Sequence, residues 1–160
     1  APAPGGGAEV REAVAPSGAA SMLATRCTEE HWRASATVEP GTGVAALRVR
    51  LDERHWVEVR AGAGELAGVA RVGDLAQQLG RVDLTADRAE LEVRAVPATT
   101  GGPDDLELAA VVAGRRHELG RIDGRYLSSE VAGGFTGRVW GVRAVRGSVV
   151  VREAAVGPLA

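Results

Sequence analysis

Three neighbouring pairs of carboxylates, Glu29-Glu30, Asp52-Glu53 and Asp104-Asp105, are the residues of this chain best suited to acid–base work. Cleaving a glycosidic bond takes two carboxyl groups facing each other across it at ~5–9 Å. Adjacent residues on a strand point to opposite faces, so no pair makes such a constellation by itself. All three fall at turn or strand-edge positions, where acidic residues are common, and they read as solvated turns. Two His-aromatic pairs follow, His31-Trp32 and His55-Trp56, each at or near a strand start. In each, one ring should face the core and the other the opposite face of a sheet, with a core Trp beside a surface His as the expectation. Sugar-binding sandwiches present flat rings to pyranose faces, so Trp56, His55 and Trp32 are the candidate substrate-binding residues. Trp140 is a further ring, and all three Trp are better accounted for as core.

The remaining chemistry-bearing residues are sparse. His31, His55 and His117 are far apart and lack metal-ligand spacing. Cys27 is alone, which excludes an internal disulfide and a cysteine-based metal site, and it reads as a buried, inert thiol. The glycine-containing segments GAGEL and GGFTG lack the strand–loop–helix context of a phosphate loop. No nucleophile–base arrangement stands out. No catalytic residue and no cofactor is assigned.

These residues sit in a run of short alternating segments. Trp32, Ala34, Ala36 and Val38 alternate with polar neighbours before a turn at Pro40-Gly41. Leu47, Val49 and Leu51 alternate, Asp52-Glu53-Arg54 punctuates, and Val57 and Val59 resume the pattern. Ala61 to Gly64 signals a hairpin into Leu66–Val72. GDLAQQLG (73–80) reads as a polar excursion with room for one helical turn. Val82 to Leu84, then Leu91, Val93 and Ala95, continue the alternation, and ATTGGPDD (98–105) is a loop. Leu106 to Val112 leads to a turn at Ala113-Gly114, and Val139–Ala144 and Ser148–Arg152 flank another at Arg146-Gly147. Many short strands with frequent turns predict an all-β, antiparallel two-sheet sandwich. Residues 1–18 read as a linker, and 19–160 as a single domain.

Composition narrows the function classes. The 160 residues are 45% hydrophobic, which fits one folded core and excludes a disordered chain. A net charge of -2 leaves no electrostatic footprint for nucleic acid. No apolar run approaches the ~20 residues that span a bilayer. All 19 basic residues are Arg, and Lys and Asn are both absent, a bias that suits a GC-rich genome. A single Cys fits a cytoplasmic setting better than a secreted one. Gly124 to Ala144 holds the only Tyr, the only Phe and one of 3 Trp in a chain that is 3% aromatic. That stretch should turn on Gly133-Gly134, with Gly137 and Gly141 allowing close backbone approach, and bury Phe135 with either Val139 or Trp140.

The segment HELGRIDGRYLSSEVAGGFTGRVWGVRA (117–144) resembles the C-terminal concanavalin A-like domain of family 43 glycoside hydrolases, the β-xylosidase and α-arabinofuranosidase group. LATRCTEEHWRASATVEP (23–40) and VAALRVRLDERHWVEVRAG (44–62) are similar to two further parts of that domain, in the same order. The resemblance implies a concanavalin A-like jelly roll that packs on an N-terminal five-bladed catalytic propeller of the same polypeptide. Xylo- or arabino-oligosaccharide would then be met through the parent enzyme. In some members a loop tipped by an aromatic residue reaches over the propeller's pocket; here it would fall near Val72–Gly80, which has no ring. Arg116 stands where a Trp is usual, and residues 1–22 offer no clear first strand. Such folds sometimes carry calcium, but no Asp/Asn-rich loop indicates it.

Three functions follow. The first is an accessory domain without chemistry of its own, the second a stand-alone carbohydrate-binding module, the third a structural or oligomerisation module that self-associates through an uncovered face.

Overall fold

The computed structural model describes residues 1–13, 22–133 and 137–159. Two antiparallel sheets of six strands face each other across one core. The first half of the chain gives β1 (Ala8–Arg11), β2 (Leu23–Arg26), β3 (Trp32–Glu39), β4 (Val44–Asp52), β5 (His55–Gly62) and β6 (Glu65–Val72). The second gives β7 (Leu75–Asp83), β8 (Ala89–Val96), β9 (Asp105–Val112), β10 (Arg115–Asp123), β11 (Val139–Arg146) and β12 (Ser148–Pro158). Sheet one runs β1-β12-β3-β8-β9-β10, and sheet two runs β2-β11-β4-β5-β6-β7. This is the antiparallel sandwich that the alternation predicts.

The core follows directly from period-two patterning. On β3 the inward residues Trp32, Ala34, Ala36 and Val38 are all at most 2% exposed, and Leu91 and Val93 of β8 are sealed completely. They meet Leu47 and Val49 of β4 and Val57 and Val59 of β5 from the facing sheet. Truncating a sealed leucine such as Leu47 or Leu106 to Ala costs about 2–5 kcal/mol, the transfer term plus the cavity. Trp140 is part of this core and Val139 only half-buried, which settles one alternative of the sequence reading. Phe135 lies outside the described residues.

The two sheets come into close backbone contact along one edge. The pairing of β9 with β10 slips between Glu118 and Gly120, and the slip turns Leu119 inward at 1% exposure. Its backbone lies against Gly68 of β6 and Gly80 of β7; a Cβ on Gly80 would sit 2.8 Å from the Leu119 carbonyl oxygen, and one on Gly68 closer still. Glycine is required at both positions because backbone passes where a side chain would be. Close approach therefore occurs here and not at Gly137, where a Cβ would meet open space.

Three expectations are corrected. GDLAQQLG is neither an excursion nor a helical turn but the tip and first half of β7. Its polarity has a physical cause: β7 is an edge strand, and Leu75 to Gln78 are exposed on both faces. Residues 8–11, read as linker, form β1, which pairs with β12 from Ala8↔Val151 to Arg11↔Ser148. The stretch after β10 is not a simple loop: a 3-10 turn spans Gly124–Leu127 and a single helical turn, α1, spans Ser129–Ala132. Gly133 ends that turn with φ +73, and Gly134 lies outside the described residues.

Candidate functional site

The three residues singled out for sugar contact end up in three different settings. Trp32 is core, 2% exposed, and offers no open ring face. His55 sits at the β4–β5 turn, 9% exposed, with its Nδ1 2.8 Å from the Asp52 carboxylate. Trp56 faces outward from sheet two, on the side of Glu58 and Arg60, so here the core-Trp and surface-His expectation is reversed. Its ring is 7% exposed because the Arg48 guanidinium lies 4.1 Å from the centroid, with that of Arg60 at 5.9 Å.

Of the acidic pairs, Glu29 and Glu30 lie exposed in a bend, and Asp52-Glu53 forms the β4–β5 turn. Asp104-Asp105 departs from the solvated-turn reading, since both are only 4% exposed. Asp104 takes a two-pronged contact from Arg138, which also donates to the Leu127 and Gly124 carbonyls and so anchors the Gly124–Leu127 turn. Asp105 accepts from the Thr99 hydroxyl at 2.8 Å and from Arg121 at 3.0 Å, which hold its carboxyl below the usual carboxylate range. The Cys27 thiol is pushed up to about 11 by burial, against the opposing charge of Arg138, and stays protonated and inert.

A site that motif reading did not find lies on the outer face of sheet two. Strand register sets Arg50 beside Trp56 and Arg71 in one row. The next row is Arg48, Glu58 and Val69, and the third is Arg143, Ala46, Arg60 and Ala67. Glu58, with no exposure, accepts from Arg48 Nε at 2.6 Å, Arg60 Nε at 2.6 Å and Arg143 Nη1 at 2.9 Å. Burial alone would raise its pKa; the charges of Arg48, Arg60 and Arg143 outweigh that and hold it below the ordinary range. Among the described residues these three guanidinium groups make no other hydrogen bond, and the Arg143 Nε is buried without any partner. One carboxylate thus faces three cations, with a shallow cleft of about 400 Å³ opening beside Arg60.

The outer face of sheet one repeats the motif. Glu92 of β8, 1% exposed, is clasped by Arg33, Arg94 and Arg116. Here two of the three guanidinium groups are further committed, while Arg94 reaches Glu92 alone. Arg33 also reaches Glu90 and Ser35, and Arg116 also reaches Glu107 and Glu118. With Arg121 held by Asp105 and Glu107, carboxylates balance arginines across this face. Both clusters have a signal in the sequence: Val57-Glu58-Val59-Arg60-Ala61 and Leu91-Glu92-Val93-Arg94-Ala95 are near-copies, each placing a Glu and an Arg on the outward side of a central strand.

Among the described residues no group of three or more His, Cys, Asp or Glu side chains converges as metal ligands would, and no helix is long and apolar enough to cross a membrane.

Comparison with known proteins agrees with this architecture. Residues 8–155 match the family model described as the β-xylosidase C-terminal concanavalin A-like domain. No curated protein matches the chain. Among solved structures, the xyloglucan PUL GH43B protein of Bacteroides ovatus superposes with a TM-score of 0.72 at 21% identity, over 88% of this chain and 30% of that one. A family 43 protein of Bacillus licheniformis gives a TM-score of 0.74 at 13% identity, again over 88% and 30%. Sheep galectin-11 shares the fold at a TM-score of 0.53 and 7% identity, over 86% of this chain and 96% of that one. The chain spans only about 30% of the length of these two family 43 proteins. It belongs to the β-xylosidase C-terminal concanavalin A-like domain family, an accessory C-terminal module of family 43 glycoside hydrolase proteins.

Proposed function

We propose that this chain is a non-catalytic accessory domain that packs on a five-bladed catalytic propeller of the same polypeptide and supports its pocket. The match over residues 8–155 to the C-terminal domain of β-xylosidases carries the reading. Xylo- or arabino-oligosaccharide would be met through that parent enzyme rather than cleaved here.

The state of the buried carboxylates supports a role without chemistry. A glycosidase acid needs a carboxyl whose pKa is raised, so that it holds a proton to give. Glu58, Glu92 and Asp105 are all shifted downward, and Asp104 is bound on both oxygens by Arg138. Pocket support has a candidate element in the β6–β7 hairpin, which turns at Gly73-Asp74 and carries Leu75 at 78% exposure. It lies in the stretch for which the resemblance implies a pocket-capping loop, with an aliphatic residue where an aromatic one is common.

The deciding experiment incubates the purified chain with aryl-xylosides and aryl-arabinosides. No turnover is expected; turnover abolished by a single Asp or Glu substitution within residues 8–155 would sink the proposal.

A further inference from the structure

We propose that the outer face of sheet two binds the carboxylate of an acidic saccharide, a hexuronate residue, on Arg48, Arg60 and Arg143. That the ligand is a saccharide rests on the reading of the chain as part of a carbohydrate-active protein; that it is an anion rests on the face itself.

The charge on this face is out of balance where the equivalent cluster on sheet one is not. Glu58 offsets one of three guanidinium charges around it. The flanking row adds Arg50 and Arg71 and the Arg60 row ends in Arg81, with Glu53 paired to Arg50, Glu65 paired to Arg81 at 3.6 Å and Asp83 opposite Glu65. The donors are also unspent, since each of the three central arginines gives Glu58 a single N–H among the described residues. A guanidinium fork with free N–H groups is matched in geometry by a carboxylate, which takes two at once. On sheet one Arg94 also reaches Glu92 alone, but Arg33 and Arg116 give further donors to Glu90, Glu107 and Glu118, so an anion arriving at those two would have to displace protein carboxylates.

The shape of the face selects a small ring over a broad acidic protein surface. The Arg48 and Arg143 side chains are only 5% and 11% exposed, recessed among their neighbours. A carboxylate projecting from a sugar can reach them, whereas a folded surface would be held off by the more exposed Arg60. The cleft of about 400 Å³ at Arg60 is lined by Val44, Ala63 and Val145 together with Arg146, Glu12 and Glu65. Apolar side chains beside Arg60 and Arg146 give the ring and the carboxylate of an acidic pyranose each a matching surface.

Isothermal titration of the chain tests this with three ligands: a glucuronate-substituted xylo-oligosaccharide, its neutral counterpart and a polyglutamate peptide. The acidic oligosaccharide should bind at least tenfold tighter than the neutral one, and added salt should weaken it. Arg143→Gln and Arg60→Gln should each lower that affinity about tenfold, the loss of one charge-assisted contact. Arg33→Gln on the opposite face should change nothing, and near-UV circular dichroism verifies that each variant is folded. Equal affinity for the neutral oligosaccharide, absence of binding by all three ligands, or folded Arg143 and Arg60 variants that bind as the parent does would each overturn the proposal. So would polyglutamate binding as tightly as the acidic sugar, which would make the face a dock for an acidic protein. None of these outcomes touches the accessory-domain reading, which is decided by turnover of aryl glycosides.

Discussion

Glu58 and Glu92 hold matching places on opposite faces of the sandwich. Each stands near the middle of an inner strand, each is closed off from water, and each is gripped by three arginines. The surroundings differ. Arg48 and Arg143 beside Glu58 are nearly buried, while Arg33, Arg94 and Arg116 beside Glu92 are 29–35% exposed, and Arg33 and Arg116 are shared with other acids. A sheet needs some covering for its solvent side, and flat-lying arginines around a central Glu supply it. Sheet one has that covering and balances it. Sheet two has the covering with cations left over, a surplus that shielding the sheet does not require.

The comparison can be broken most directly by removing each central acid. Glu58→Gln should cost on the order of 3–5 kcal/mol, because a nearly buried Arg48 loses its counter-charge. Glu92→Gln should cost about 1–3 kcal/mol, since Arg33 and Arg116 keep other carboxylates. Urea unfolding reads both, and equal losses would end the claim that the two faces differ.

Acid titration sharpens it next. Glu58, Glu92 and Glu39 all have pKa values lowered on folding, Glu39 to about 2 through Arg152 and Arg88. A lowered carboxyl stabilises the fold above its unfolded value near ~4.3, and that contribution disappears as pH falls through the folded value. Stability should therefore fall from about pH 4 downward, and Glu58→Gln and Glu92→Gln should each make that decline shallower. Unfolding midpoints measured across that range give the two slopes.

Smaller effects separate the faces further. Trp56→Leu removes the ring under Arg48 and should cost about 1–2 kcal/mol, while sheet one has no such ring on its described outer face. Last come the two hairpin tips, Ala63 with φ 53 on sheet two and Ala113 with φ 49 on sheet one. Left-handed backbone disfavours a Cβ, so Ala63→Gly and Ala113→Gly should each stabilise by about 0.5–1 kcal/mol. Here the two sheets should behave alike; thermal unfolding showing a gain on one sheet only would point to a difference unrelated to charge.

The fold was legible wherever one face of a strand is apolar and the other polar, as on β3 and β8. It was illegible at the edges. β7 has little core to contact along Leu75–Gln78, so no alternation marks it, and β1 is four residues long inside a Pro- and Gly-rich segment. The candidate site was harder still. Glu58 and Arg60 are near neighbours in sequence, but Arg48 and Arg143 join them only through the pairing of β4, β5 and β11, and no linear motif spells that register. The duplicated Glu-Val-Arg-Ala on β5 and β8 was the available clue. His55-Trp56 drew attention as a pair of rings, whereas the second ring matters as the surface on which Arg48 lies.

A face with surplus positive charge and a balanced face on the far side of an apolar slab give the sandwich a charge asymmetry normal to the sheets. Sheets stacked face to face lie ~10 Å apart with little screening between them. Guanidinium groups stay protonated around neutral pH, so the surplus is not switched off by titration there. A polyanion approaching from solution would feel that field before touching the surface, and would meet the molecule already turned, with the arginine face leading.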